Sequence, residues 1–177
     1  MNIIPLEQSR WQGHVLEFHY TSNNYYDVDI ARDLDNFNVS FTKKPFDTTV
    51  AKSFIGKLFE PWCEDAKAWG IIKNGDLIAV IETAVENWSN RLRISELWID
   101  DAYHRQGIGT ALMDLAVQRA KDENRRAIVL ETQSCNETAI AFYLACDFTL
   151  IGFDTCCYGN DDITKKEVRL EFGVNII

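Results

Sequence analysis

"YHRQGIGTAL", residues 103–112, sets two glycines one residue apart behind His104 and Arg105 and ahead of a run with helical spacing. A strand that enters a helix through such a turn leaves the first helical N–H groups without intrahelical partners. Those donors, with the helix dipole behind them, bind phosphate. Gly107 and Gly109 have no side chain to block a diphosphate, and Arg105, with His104, brings positive charge. The stretch is not the dinucleotide fingerprint, whose third glycine is missing. Nor does a Gly-Lys-Ser/Thr follow to make a nucleoside-triphosphate loop.

The helix is expected from about Gly107 to Asn124, with Ile108, Leu112, Leu115 and Ala116 on one face. "RAIVLETQ" (126–133) follows as a short buried strand. A second helix begins near Asn136, where Ser134 and Glu137 fit a capping box, and it carries Ile140, Tyr143 and Leu144 on one side. "FTLIGFDTCCY" (148–158) and "KEVRLEF" (166–172) give two more strands. Upstream, "AWGIIKNGDLIAVIETAVE" (68–86) is two apolar runs joined at Asn74-Gly75, a strong hairpin signal, and the turn "NWSN" leads into the strand "RLRISELWID" (91–100). "YYDVDIA" (25–31) and "FNVSFTK" (37–43) alternate as strands with one wet face. Thr49 to Lys67 reads as a helix bent or interrupted at Pro61. No repeat, low-complexity tract or linker divides the chain, so residues 1–177 read as one α+β domain with a mixed, mostly antiparallel sheet flanked by helices.

Hydrophobic residues at 46% and charged residues at 25% describe an ordinary globular protein. No apolar run reaches the ~18 residues that span a bilayer, and the opening "MNIIPLEQSRW" lacks the features of a secretory signal, so a cytoplasmic protein without a membrane partner is expected. The net charge of -9 argues against nucleic acid, whose binding needs clustered Lys and Arg. It suits a cationic small molecule or a basic peptide, and it equally serves solubility. Cys63, Cys135, Cys146, Cys156 and Cys157 form no C-x-x-C pair and no zinc spacing; they read as buried or half-buried thiols in a reducing compartment, with no metal site. The state of assembly reads as monomer or homodimer.

Taken with the residues downstream, His104-Arg105-Gln106-Gly107-Ile108-Gly109 resembles the acyl-CoA-binding motif of the GNAT superfamily of N-acetyltransferases: Gln or Arg, two variable residues, Gly, one variable residue, then Gly or Ala. His104 stands at the position of the usual Arg or Gln. The superfamily's second signature, an Asn followed by a helix bearing Phe-Tyr and ending near Gly-Phe, is similar to "NETAIAFYLACDF" (136–148), with Asp147 in place of the Gly. Residues 76–158 resemble the superfamily in order and spacing. Within it the chain is most similar to streptothricin acetyltransferases, in "LETQ" (130–133), in Asn136 with its Phe-Tyr, in "LIGFDT" (150–155) with Tyr158, and in the turn at Trp88 and Asn90. The closing "EVRLEF" lacks the aromatic-rich ending of that group.

The resemblance implies a GNAT-like domain in which "ISELWID" splays from "AIVLETQ" to admit the pantetheine arm. Acetyl-CoA is the implied cofactor, gripped by His104, Arg105, Gln106, Gly107, Ile108, Gly109 and Thr110. Backbone N–H groups near Trp98 and Ile99 would face the thioester carbonyl, and Asn136 and Tyr143 would line the arm. The acceptor must be neutral when it attacks, and the leaving sulfur must be kept from attacking back. Tyr143 is the implied general acid, since a phenol with an ordinary pKa of ~10 is protonated at neutral pH; spacing alone reads it as an aromatic on a helix face. Glu96 is the first candidate base and Glu82 the second, and each also reads as a plain strand carboxylate. Glu82, Asp154 and Tyr158 would offer charge and an aromatic wall to a cationic substrate, or form a solvated edge. Asn136 reads as a helix cap as well as a pantetheine contact. The implied reaction is acetyl transfer to a primary amine of a small cationic molecule such as streptothricin; a protein or peptide amine, or a non-catalytic acyl-CoA sensor, stay open.

Overall fold

The structure is a computed structural model that describes residues 2–176. Among the described residues, nine strands and four α-helices follow in order: β1 (Ile4–Leu6), α1 (Gln8–Trp11), β2 (Val15–Arg32), β3 (Phe37–Lys57), β4 (Lys67–Lys73), β5 (Asp76–Glu86), β6 (Arg91–Ile99), α2 (Ile108–Asp122), β7 (Ala127–Gln133), α3 (Glu137–Ala145), β8 (Thr149–Asp154), α4 (Asp162–Lys165) and β9 (Arg169–Asn175). The α+β class with a mixed, mostly antiparallel sheet is the expected one. The chain packs as two compact units. The first comprises 2–18, Phe54–Leu130 and 173–176, the second His19–Ser53 and Glu131–Phe172.

In the first unit the sheet runs β1-β4-β5-β6-β7. The β4–β5 hairpin turns at Asn74 and Gly75, whose φ of 55° and 97° suit the two-residue turn that the Asn-Gly pair favours. Strand β5 is the centre of this unit, buried without a break from Ile78 to Val85. Its antiparallel ladder with β6 contains a bulge: Glu82 opposes Glu96 and Thr83 opposes Ile94, so Ser95 is an extra residue. The β6–β7 pairing is parallel and covers only Arg91–Ala127, Leu92–Ile128 and Arg93–Val129, although β6 continues to Ile99. Leu6, Trp11, Leu16, Leu58, Phe59, Ala68 and Val80 form one hydrophobic cluster of the unit. Full burial of a Leu or Phe side chain contributes about 1.5–3 kcal/mol.

Helix α2 buries Ile108, Leu112, Met113, Ala116 and Ala120, the stripe its spacing predicts, with Leu115 at the half-buried margin. Arg119 shares the buried face. Its Nη1 donates to the Thr83 carbonyl (2.8 Å) and Thr83 Oγ1 (2.7 Å), its Nη2 to the Asp65 carbonyl (2.9 Å) and carboxylate (3.0 Å), and its Nε to Glu123 (2.8 Å). With its donors satisfied, the guanidinium ties the end of α2 to β5 and to the turn before β4.

The second unit holds the outer parts of a long β2–β3 hairpin and the strand order β7-β9-β8. Asp33 closes the hairpin tip by accepting from the amides of Asp35 (3.0 Å) and Asn36 (2.9 Å). Ile140, Phe148, Val168, Leu170 and Phe172 are buried in this unit.

Four local expectations are corrected. Thr49–Lys67 is not helical: β3 continues to Lys57 and turns follow. Val50, Phe54 and Leu58 are four apart, a spacing that suits one helix face but also one strand face, because four is a multiple of two. Pairing with β2 selects the strand. The capping box at α3 is absent. Asn136 caps the helix, with Oδ1 accepting from the Ala139 amide at 3.2 Å, while the Ser134 hydroxyl donates to the Lys166 carbonyl at 2.9 Å. Glu137 instead accepts from the Asn23 and Asn24 amides at 2.9 and 3.2 Å. Leu144 is exposed rather than packed beside Ile140. Cys156 and Cys157 are exposed in the turn after β8, whereas Cys135 is buried and Cys63 and Cys146 are half-buried.

Glu123 converts this packing into an acid dependence. Burial works against its ionised form, but hydrogen bonds from Arg119 and Lys67 prevail and hold its carboxyl at about 2, below the ordinary 4.5. A depressed folded-state pKa adds stability that is complete above the unfolded value and is lost as pH falls through the folded one. Stability is therefore expected to decline between about pH 4.5 and 2 in part through Glu123. Denaturant melts across that range should show a shallower decline in Glu123→Gln than in the unaltered protein; equal slopes would remove Glu123 from the acid response.

Candidate active site

The turn quoted at the outset lies in the first unit, between β6 and α2. Asp100 accepts from the Ala102 amide at 2.9 Å and opens a single 3-10 turn, Asp101–Tyr103. His104 then folds back, its Nε2 lying 2.9 Å from the Ile99 carbonyl, and Gln106 Nε2 donates to the Ala102 carbonyl at 3.3 Å. Arg105 adopts φ +58° and Gly107 φ +77°, two left-handed steps that swing the chain into the helix. Such backbone is costly for most residues and natural for glycine.

Gly107 is the N-cap of α2, and no side chain caps this end. The Ala111 amide is the first to find its partner within the helix, the Gly107 carbonyl at 3.1 Å. The amides of Ile108, Gly109 and Thr110 therefore make up the open end of the helix, with no acidic residue in its first turn to repel an anion. A Cβ built on Gly107 meets nothing within 4 Å, so the approach is unobstructed. These features fit a diphosphate.

Two of the expected contributions change. His104 is engaged with Ile99, so it fastens the loop to the end of β6 and leaves the charge at the turn to Arg105. Along β6 the Asp100 amide donates to the Ile78 carbonyl at 2.9 Å. Amides alternate between the two edges of a strand, so that of Trp98 is directed to β5 and that of Ile99 to the opposite, unpaired edge. Ile99, not Trp98, has the amide free of the β5 ladder. Trp98 acts through its indole, which donates to the Glu17 carbonyl at 2.9 Å and anchors the end of β6 to β2.

The two candidate carboxylates differ sharply. Glu96 is half-buried, and Gly56 of β3 makes room for it: a Cβ on Gly56 would stand 2.6 and 2.7 Å from its carboxylate oxygens. Glu82 is completely buried, accepting from Ser95 Oγ at 2.7 Å through Oε1 and from the Phe59 amide at 2.6 Å through Oε2. Burial raises its pKa, opposed by the hydrogen bonds of Ser95, Phe59 and Cys63. The same surroundings, burial first and the Glu82 charge second, push the Cys63 thiol up to about 12. Glu82 is thus closed off from solvent, with both carboxylate oxygens engaged by other parts of the chain, whereas an acceptor-facing position would have left it exposed. A single carboxylate inside the run "LIAVIETAV" was the signal for this burial.

The other expected residues lie in the second unit. Asn136 uses its side-chain oxygen as the α3 cap. The Tyr143 ring sits among Phe142, Phe148 and Phe172, with centroid separations of 5.7, 6.3 and 6.2 Å. Asp154 is exposed and accepts from the Cys156 amide at 2.9 Å, and the Tyr158 amide donates to Asp162 at 2.9 Å. Sequence reasoning missed Tyr20, whose hydroxyl donates to Gln133 Oε1 and lies 3.3 Å from Cys135 Sγ. Burial raises the pKa of this phenol further. It also missed Arg169, paired with Glu131 at 2.5 Å and Glu171 at 2.6 Å. Tyr20 depends on Gln133 and Cys135, and Arg169 in part on Glu131, partners more than thirty positions away in the chain that no local pattern announces.

The pattern of the acetyltransferase (GNAT) family matches residues 32–148. The chain belongs to that family, which defines its class: an N-acetyltransferase with acetyl-CoA as the acyl donor. Over 74 residues it is 34% identical to Streptothricin acetyltransferase A of Bacillus subtilis (strain 168), a match covering 42% of this chain and 43% of that protein, less than half the relative's length. The fold is shared with nourseothricin acetyltransferase (TM-score 0.77, 22% identity, 99% of this chain and 98% of the other). It is also shared with a Bacillus anthracis protein assigned as a streptothricin acetyltransferase and solved in complex with acetyl coenzyme A (TM-score 0.74, 22% identity, 98% and 96% covered).

The Gly56–Glu96 contact yields a direct test of the site's geometry. Gly56→Ala should push the Glu96 carboxylate aside at little cost in stability, since the clashing atoms are the far end of a flexible side chain. Thermal melting within a few degrees of the unaltered protein, with a displaced Glu96 in a crystal structure of the variant, is the expected pair of results.

Proposed function

We propose that residues 1–177 act as one N-acetyltransferase domain that transfers the acetyl group of acetyl-CoA to a primary amine of a small cationic molecule, of which a streptothricin-like antibiotic is the specific case. The observation that carries this reading is the uncapped, acid-free start of α2 behind Gly107, a diphosphate grip, in a chain of this family. The net charge of -9 favours a cationic acceptor. The likeness to Streptothricin acetyltransferase A supports the choice of antibiotic. Cytoplasmic residence and resistance to such an antibiotic belong to the same reading; among the described residues, no helix is long and apolar enough to cross a membrane.

Bound acetyl-CoA supplies an activated acetyl thioester. The amides of Ile108, Gly109 and Thr110, with Arg105, hold the diphosphate and so fix the depth of the reacting end. The Ile99 amide donates to the carbonyl oxygen as negative charge grows there; removing one such donor typically costs ~3 kcal/mol of transition-state stabilisation. Glu96 takes a proton from the acceptor ammonium, directly or through water, because an alkylamine with a pKa of ~10.4 arrives protonated at neutral pH. As the amine nitrogen bonds to the acetyl carbon and the carbon–sulfur bond breaks, the Tyr143 hydroxyl would give its proton to the leaving sulfur, and the second proton shed by the nitrogen restores the phenol through solvent. Asn136 contacts the pantetheine arm, and Asp154 and Tyr158 face the acceptor's positive charge.

A thiol-release assay over streptothricin, lysine, spermidine and a basic peptide tests the substrate class. Turnover with the antibiotic supports the reading; turnover with the peptide alone would reassign the acceptor, and tight CoA binding with silence across the panel would make the protein an acyl-CoA sensor. Tyr143→Phe should lower kcat by about tenfold or more while leaving CoA affinity nearly unchanged. Equal rates would take Tyr143 out of the chemistry.

A further inference from the structure

We infer that Glu82 is a positioning residue: its buried carboxylate holds the Ser95 bulge from inside and thereby fixes which way Glu96 and the Ile99 amide point. The kinetic consequence rests on the acetyl-transfer reading above; the structural one does not.

The bulge decides the face of Glu96. Thr83 and Glu82 are adjacent on β5, so their side chains leave opposite faces of the sheet, and so do those of their partners Ile94 and Glu96. In a regular strand, residues two apart share a face, and Glu96 would join the buried Leu92 and Ile94. Ser95 is the inserted residue that turns it away. A slip of one position would return Glu96 to that face and exchange the amides, directing Trp98 to the unpaired edge in place of Ile99.

Glu82 is built to prevent that slip. Ser95 Oγ donates to its Oε1 at 2.7 Å, which ties the inserted residue to the strand opposite. The Phe59 amide donates to Oε2 at 2.6 Å, from a buried residue held at φ +56° in the corner after β3. One carboxylate thus joins the bulge to the corner that follows Gly56, the residue against which Glu96 lies. Burying a charge costs stability that an apolar side chain of similar size would not. What it supplies here is acceptor oxygens for donors on different elements, Ser95 in the bulge and Phe59 in the corner, with the Cys63 thiol beside them.

Glu82→Gln keeps the shape but leaves one acceptor oxygen for Ser95, Phe59 and Cys63, and Ser95→Ala removes the hydroxyl alone. In both, amide hydrogen exchange over 94–99 is expected to quicken tenfold or more while the β4–β5 turn is unchanged. With the amine that turns over, kcat should fall at least tenfold and the KM for acetyl-CoA should rise by a smaller factor, because the α2 amides stay on their helix while only the His104 tether to Ile99 loosens. Ser95→Thr, which retains the hydroxyl, should recover the rate lost in Ser95→Ala. Should Glu82→Gln fail to fold, the two serine variants carry the test. Unchanged exchange over 94–99, or quickened exchange with undiminished kcat, overturns the inference. A protein that acetylates no amine would defeat the proposed function, and exchange alone would still decide the role of Glu82.

Discussion

The pairing of β5 with β6 contains one residue more on β6 than on β5, and the direction of everything beyond Ser95 follows from that count. Before the bulge, β6 sends Leu92 and Ile94 into the core. Beyond it, the strand presents Glu96 to Gly56, lays the Trp98 indole on the Glu17 carbonyl, and leaves the Ile99 amide on an edge whose β7 ladder ended at Arg93. A regular ladder would bury the carboxylate and turn the amide inward. Strand pairing is stabilising in either register, so a specific polar contact at the bulge chooses between them.

Helix α2 shows the same division between anchoring and exposure along one element. Its C-terminal turn is fastened through Arg119, which reaches Thr83 and Asp65 and bonds Glu123. Its N-terminal turn is left open by a glycine that has no side chain to satisfy the first amides. A capping Ser or Asp contributes about 1 kcal/mol to a helix, but at position 107 it would have to hold a φ of +77°, a strain for any side chain. It would also place an oxygen in front of the open amides. The stability forgone at one end is compatible with function because the other end and the apolar stripe hold the helix on the sheet.

Local signals made much of this legible. The Asn74-Gly75 turn, the stripe of α2 and the glycines of the loop each specify backbone geometry within a few residues, and each stands where its chemistry predicts. What could not be read depends on partners far along the chain. The stretch from Thr49 satisfied both periods, and only β2 could decide it. Ser134 and Glu137 had the spacing of a capping box, but Lys166 and the β2 amides compete for them and win. The burial of Glu82 was half visible, as a charge in an apolar run; its purpose lay in a bulge that no periodicity reveals. Tyr143 reads as both things at once, an aromatic packed against Phe148 and Phe172 and the tyrosine of the family's motif.

His104 shows why a departure from a motif need not alter what the motif does. A longer Arg or Gln at this position would extend toward the ligand, whereas the imidazole reaches the Ile99 carbonyl of the preceding strand. The carbonyl and amide of one strand residue lie on the same edge, so the contact that tethers the loop is made at the edge from which the Ile99 amide also projects. The loop is consequently referenced to the residue whose amide projects from that edge. With His104 held in this way, the proposed grip on phosphate rests on Arg105 and on three backbone amides, whose directions are set by geometry and not by side-chain identity. A charge on a flexible side chain would tolerate a shifted loop, but amides fixed in a helix would not. The Asp100 cap, the His104 tether and the left-handed steps at Arg105 and Gly107 therefore all bear on the proposed phosphate grip, even though only the last of them borders the open amides.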